Sequence, residues 1–166
     1  MSKSRKRLIL SAFFLLVTVT ISSSLFLLEI LNYIGTIKST RQLHIEVVSM
    51  KVELSDDEIS IRSTFSILNP TFYSRVKLIY IYYKFFLNVN SHENLIGSDT
   101  YFVHDILTPN KDMLINVTLT VPKSRNQYLV DHVSKIELDW HIKCLIHIET
   151  PIKNYYETID IYKRVL

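Results

Sequence analysis

Asp139 and His141 stand two residues apart with Lys143 beyond them, and a carboxylate beside a histidine is the basic equipment of a general base. On a strand these three side chains share one face. The reading preferred here is a solvated outer face of mixed charge. No Ser or Cys lies near them in sequence, and Cys144 has the opposite, inward parity. His141 and His147 share the same face, but the six-residue step from one to the other spans about 20 Å along a strand. They cannot share a metal, whose ligands lie within about 2.0–2.2 Å of it. His44, His92, His104 and His132 are scattered, and a zinc site would need folding to gather some of them. Asp56-Asp57-Glu58 offers carboxylates to a hard cation such as calcium, although a turn with three acids is first of all a solvated turn. The expectation is no catalytic residue, no metal and no cofactor.

Three other groups could bind rather than react. Tyr80, Tyr82 and Phe86 alternate with Ile79, Ile81, Phe85 and Leu87. If the second set faces the core, the first lies on the sheet surface as a partner-binding face, unless another segment covers it. Asn116-Val117-Thr118 is the single N-glycosylation sequon, because Asn69-Pro70-Thr71 carries Pro in the forbidden position. Its Asn116 points outward by alternation. Thr18 with Ser22, and Thr20 with Ser24, are four apart. That spacing permits close helix pairing in a membrane, or hydroxyls satisfied by their own backbone, which is the preferred reading.

The elements that hold these residues begin with Leu8 to Leu28, a stretch without charge, Pro or Gly. It has the length of a helix that crosses the hydrocarbon core. Lys3, Arg5, Lys6 and Arg7 precede it and should stay in the cytoplasm. A cleavable signal peptide is the alternative, with Ser22 and Ser24 as small residues before the cut. Against it, Leu25-Phe26-Leu27-Leu28 prolongs the apolar run. The predicted organisation is a basic cytoplasmic tail (1–7), a transmembrane helix (8–31), a short linker (32–42) and an extracytoplasmic domain (43–166). A linker of eleven residues reaches at most about 36 Å, so the domain stays near the membrane.

Charge separates along the same lines. Of 19 Lys and Arg, six (Lys3, Arg5, Lys6, Arg7, Lys38, Arg41) precede residue 43 and 13 follow; of 16 Asp and Glu, Glu29 alone precedes and 15 follow. The domain is therefore −2 while the chain is +3, which argues against a nucleic-acid partner. Cys144 is the single cysteine, so no intramolecular disulfide is possible. Gly35 and Gly97 are the only glycines, which excludes Gly-rich phosphate loops.

From Leu43 the pattern turns to alternation, the signal of strands. Leu43, Ile45 and Val47 alternate, then Val48, Met50, Val52 and Leu54, with a parity slip between Val47 and Val48 that predicts a bulge. Ile59, Ile61, Phe65 and Ile67 follow, then Val76 to Leu87 with a second slip near Leu78-Ile79, then Leu95 to Val103 after the polar turn Asn90 to Asn94. Met113 to Val121 is next. Ser124 to Ser134 reads as a short helix, with Ser124 as N-cap and Tyr128, Leu129 and Val133 on one face. Ile136 to Ile148 alternates most clearly, and Tyr155 to Lys163 closes the chain with Ile159 and Ile161 inward. The predicted class is all-β, a seven-stranded antiparallel immunoglobulin/fibronectin-like sandwich with one short helix, preceded by a single N-terminal transmembrane helix. A closed barrel is the competing architecture.

Phe65 to Val121 carries a further pattern. A strand ends in Asn69-Pro70, a long apolar strand follows, then Leu95-Ile96-Gly97, then Ile106-Leu107-Thr108-Pro109 and the alternating Ile115 to Val121. This resembles the late-embryogenesis-abundant (LEA) proteins of the water-stress-and-hypersensitive-response (WHy) domain type, as a membrane-anchored, archaeal-like member. The chain departs from the pattern in having no second Gly near Gly97 and no Asn after Asn69-Pro70. The resemblance implies a small sandwich without cofactor or catalysis and a stress-protective or structural role at the cell envelope. The expected partners are the lipid bilayer and other envelope proteins or the chain itself. The alternative is an accessory subunit of a larger membrane or surface assembly that binds through the aromatic face. An anchored hydrolase is the reading from a different class.

Overall fold

A computed structural model describes residues 3–89, 92–133 and 138–165. The chain opens with a helix, α1 (Lys3–Gln42), followed by strands β1 (His44–Leu54), β2 (Glu58–Leu68), β3 (Lys77–Val89), β4 (His92–Ile106) and β5 (Asp112–Pro122). A 3-10 turn (Lys123–Arg125) and a short helix, α2 (Gln127–Val133), lead to β6 (Leu138–Glu149) and β7 (Asn154–Val165). Two antiparallel sheets result, β1-β2-β5 and β4-β3-β6-β7. The predicted sandwich is the observed one.

Alternation places the core as expected. Ile59, Ile61, Phe65 and Ile67 of β2 are fully buried, as are Leu78, Ile81, Phe85 and Leu87 of β3 and Ile142, Cys144, Ile146 and Ile148 of β6. Each such side chain contributes about 1.5–3 kcal/mol by leaving water. Tyr83 bridges the sheets, with its ring 6.1 Å from that of Phe65 and 5.5 Å from that of Phe85. Phe85 in turn meets Trp140 edge-on at 6.2 Å. Ile159 and Ile161, on the edge strand β7, pack against this core only partly buried.

Both parity slips are register shifts. One lies between Val47 and Ser49 in the β1–β2 ladder and the other between Leu78 and Tyr80 on both sides of β3. A third, between Phe85 and Phe86 against β4, left no trace in β3's own alternation.

Three expectations need correction or fall elsewhere. Residues 32–42 are not a separate linker: α1 continues through them to Gln42. The polar residues Thr36, Ser39 and Thr40 ended the apolar run in sequence, yet they are buried against the domain. Ser124 is not a helix cap but lies inside the 3-10 turn. Asn126 starts α2 instead, accepting hydrogen bonds from the amides of Leu129 and Val130 on its carbonyl. The expected turn residues Asn90 and Ser91, the end of the expected helix at Ser134 and the start of the β6 pattern at Ile136 lie outside the described residues.

Candidate functional site

The outer face of the four-stranded sheet gathers the aromatic and titratable residues singled out above. β3 turns Tyr80, Tyr82, Lys84 and Phe86 outward, all half-buried. Register then lines up their neighbours. Phe102, Tyr80, His147 and Tyr156 form one row across β4, β3, β6 and β7. Their rings follow each other at 5.9, 5.0 and 4.5 Å, the last pair nearly parallel. Further along, Phe86, His141 and Tyr162 form a second row at 5.6 and 4.4 Å. Between the rows, Tyr82, Lys84, Lys143, Leu145 and Thr158 line a shallow hollow. The expected aromatic face is thus present, but Tyr80 and Phe86 are flanked by histidines and further rings instead of standing open. The outermost rings, Phe102, Tyr156 and Tyr162, carry the exposure.

His141 departs most from its expected setting. It points outward, as alternation requires, yet only 2% of it is exposed. Its Nδ1 lies 2.7 Å from Glu93 Oε1 and its Nε2 2.8 Å from Asp160 Oδ1. An imidazolium donates to both carboxylates, whereas a neutral ring has one donor and satisfies only one. Enclosed by Phe86 and Tyr162 and with both nitrogens within hydrogen-bond distance of a carboxylate, the ring presents no free nitrogen to a substrate. Asp139 is not its partner. Arg164 takes that carboxylate, donating from Nε at 2.8 Å and from Nη2 at 3.4 Å, and this hydrogen bond holds Asp139 below the usual carboxylate range. An open hollow of about 380 Å³ contains Asp139 and Arg164 but not His141. The general-base pair suggested by spacing is therefore not assembled.

The remaining candidates are equally placed. His147 sits in the other row, and its two ring nitrogens are buried without a partner. Among the described residues, no three His, Cys, Asp or Glu side chains group to hold a metal. Asp56 and Asp57 are exposed in the β1–β2 turn. There Ser55 donates backbone and hydroxyl hydrogen bonds to the Glu58 carbonyl. Burial pushes the Cys144 thiol up to about 12, so it is no thiolate nucleophile. Asn116 is exposed on β5, and its Oδ1 accepts from Thr64 at 2.8 Å, which accepts from Ser49 at 2.9 Å. In α1 the hydroxyls of Thr18, Thr20 and Ser24 donate to carbonyls four residues back.

A second constellation emerges where α1 meets the domain. Asn69 is fully buried. Its amide donates to the Tyr73 carbonyl at 2.9 Å and toward that of Leu107 at 3.4 Å. Its Oδ1 accepts from the Thr71 amide and hydroxyl. Because Thr71 spends its proton on Asn69, Ser39 of α1 must donate to Thr71 Oγ1, at 2.7 Å. Tyr73 packs its ring on Gly35, where an added Cβ would overlap the ring edge and lie 2.8 Å from its Cγ. The Tyr73 hydroxyl reaches Asn32 and Thr36 at 3.5 Å. The Asn69-Pro70-Thr71 motif thus joins helix, β2 and the β4–β5 loop. Sequence gave the motif, not its partners.

No family model matches the chain, and no curated protein matches its sequence significantly. Solved structures do share its fold. The solution structure of AT1g01470 from Arabidopsis thaliana superposes with a TM-score of 0.53 at 14% identity, covering 73% of this chain and 79% of that one. The solution structure of At2g46140.1, described as a candidate LEA protein, gives 0.52 at 12% identity over 75% and 70% of the two chains. The chain has an LEA-like β-sandwich fold.

Proposed function

We propose that the protein is a single-pass, non-enzymatic membrane protein that carries an LEA/WHy-like sandwich outside the cytoplasm, with a stress-protective or structural role at the envelope. One observation carries this reading. α1, a candidate membrane span, runs without a break from a fully exposed apolar stretch into contacts that bury Thr36, Ser39 and Thr40 on the domain. A helix that is apolar all round and uncovered is a lipid-facing helix. The four cations before it favour a cytoplasmic N-terminus.

The domain's own work is binding, through the outer face of β4-β3-β6-β7. His141 locked between two carboxylates and two rings supports a structural face over a catalytic one. The second reading, an accessory subunit of a larger assembly, is favoured by the exposed Phe102, Tyr156 and Tyr162 that border Tyr80, Tyr82 and Phe86. Asn116 is the proposed glycan acceptor.

Protease protection tests the topology. External protease on intact cells should degrade the domain and spare the tail, whereas a domain cut only in inverted vesicles would reverse the assignment. Purification in mild detergent separates the two readings. A stoichiometric partner lost on replacing Tyr156 and Tyr162 by Ser supports the subunit, and a lone monomer counts against it.

A further inference from the structure

The end of the sandwich beside α1 differs from the opposite end in charge and in exposed apolar groups. Three loops meet there: 69–76, 107–111 and 150–153. The Asn69 hydrogen bonds tie the first two together, and the Lys77–Glu149 pair at 3.9 Å brings the third alongside. These loops contain Arg75, Lys111 and Lys153 and no Asp or Glu. Of the acids that border them, Glu149 pairs with Lys77, Asp112 and Asp105 accept from the Ser66 hydroxyl and the Ile106 amide, and Glu29 of α1 lies beside the third loop. At the other end the signs are mixed, with Asp56 and Asp57 of the β1–β2 turn beside Lys123 and Arg125 of the 3-10 turn. Phe72 in the first loop is 92% exposed, and Ile152 in the third is exposed too.

Height is set by α1. Pro151 and Ile152 share a cleft with Phe26, Glu29, Ile30 and Tyr33, and Phe72 shares one with Leu31, Ile34 and Lys38. At 1.5 Å per residue, the first cleft runs from about 3 Å below to about 8 Å above the end of the uncharged run at Leu28, and the second, which also takes in Gly35 and Gln42, begins about 5 Å above it at Leu31. In a bilayer whose core ends at Leu28, the first cleft and the near edge of the second lie in the headgroup layer, which is about 5–8 Å deep on each side. We propose that this loop end is a lipid-docking surface: Phe72 and Ile152 enter the headgroup layer, and Arg75, Lys111 and Lys153 bind anionic headgroups. The proposal rests on the reading of α1 as a span.

The test uses the full chain in vesicles of phosphatidylcholine with or without phosphatidylglycerol, containing lipids brominated near the headgroup or deep in the acyl chains. Trp140, buried and the single tryptophan, provides the background to subtract. The indole of Phe72→Trp should be quenched by shallow bromines, more strongly with phosphatidylglycerol. Replacing Arg75, Lys111 and Lys153 together by Glu should remove the phosphatidylglycerol dependence. The indole of Leu16→Trp should be quenched by deep bromines and reports the span separately. Quenching at position 16 but not at 72 overturns the docking and leaves the span. Quenching at 72 alone keeps the docking and removes the span, and quenching at neither removes both. A blue-shifted but unquenched indole at 72 means that protein covers the site, and also overturns the proposal.

Discussion

Asn69 shows how a short turn motif acquires weight. Its side chain satisfies the buried Thr71 amide and Leu107 carbonyl and the half-buried Tyr73 carbonyl, and a buried donor or acceptor left unpaired costs about 1–3 kcal/mol. Asn69→Ala should lower stability by about 2–4 kcal/mol, read as an earlier urea midpoint of Trp140 fluorescence for the full chain in detergent. Asn69→Asp keeps Oδ1 but turns a second carboxylate oxygen onto the Tyr73 and Leu107 carbonyls at a buried site, and should cost at least as much as Asn69→Ala at neutral pH. Two buried acids set an alkaline limit. Burial pushes Tyr83 and Cys144 each up to about 12, from ordinary values of 10.0 and 9.0. The unfolded chain therefore releases these protons first, and stability must fall as pH rises from about 9 toward 12. Below about pH 8 neither group contributes a slope. Cys144→Ala and Tyr83→Phe should flatten that alkaline decline, and the Cys144 thiol of the folded chain should resist alkylation until denaturant is added. Residue parity was legible in the sequence for both, since an inward position on a strand foretells burial. The partners of His141 were not. Glu93 and Asp160 reach it diagonally from two other strands, and only register brings them there.

At the scale of elements, alternation located every strand, and its two slips located two bulges, because a bulge moves all later side chains to the other face. It could not extend α1. Hydropathy drops after Leu31, and Gly35, Thr36, Ser39 and Thr40 look like a connection because their polarity is judged without their surroundings. In place, Gly35 is a seat for Tyr73 and the hydroxyls are docking groups. A Gly within a helix ordinarily costs about 1 kcal/mol relative to Ala. Gly35→Ala should therefore strengthen the isolated helix, yet it should displace Tyr73 and loosen α1 from the 69–76 loop. Faster proteolysis between residues 32 and 43 in detergent, with an unchanged Trp140 unfolding midpoint, would show this. Equal cleavage rates would mean that the ring yields without loss. Gly97 plays a milder part in β4, where an added Cβ would come within 2.9 Å of Val121 on the facing sheet.

The whole molecule is a sandwich on a helical stalk whose lower part is a candidate membrane span and whose upper part packs on the domain. α1 has 40 residues, about 60 Å of continuous helix, and its upper turns are fastened by Ser39, Thr36 and Gly35. Such a stalk fixes a compass bearing as well as a distance. Each residue added to a helix turns everything above it by about 100°. One alanine inserted after Ser22 should swing the aromatic face away from any neighbour in the same membrane. Four should bring it back to within about 40° of its first direction. If capture of a membrane-embedded partner falls with one inserted residue and returns largely with four, the helix works as a keyed shaft, and which way the sandwich looks is decided inside the bilayer.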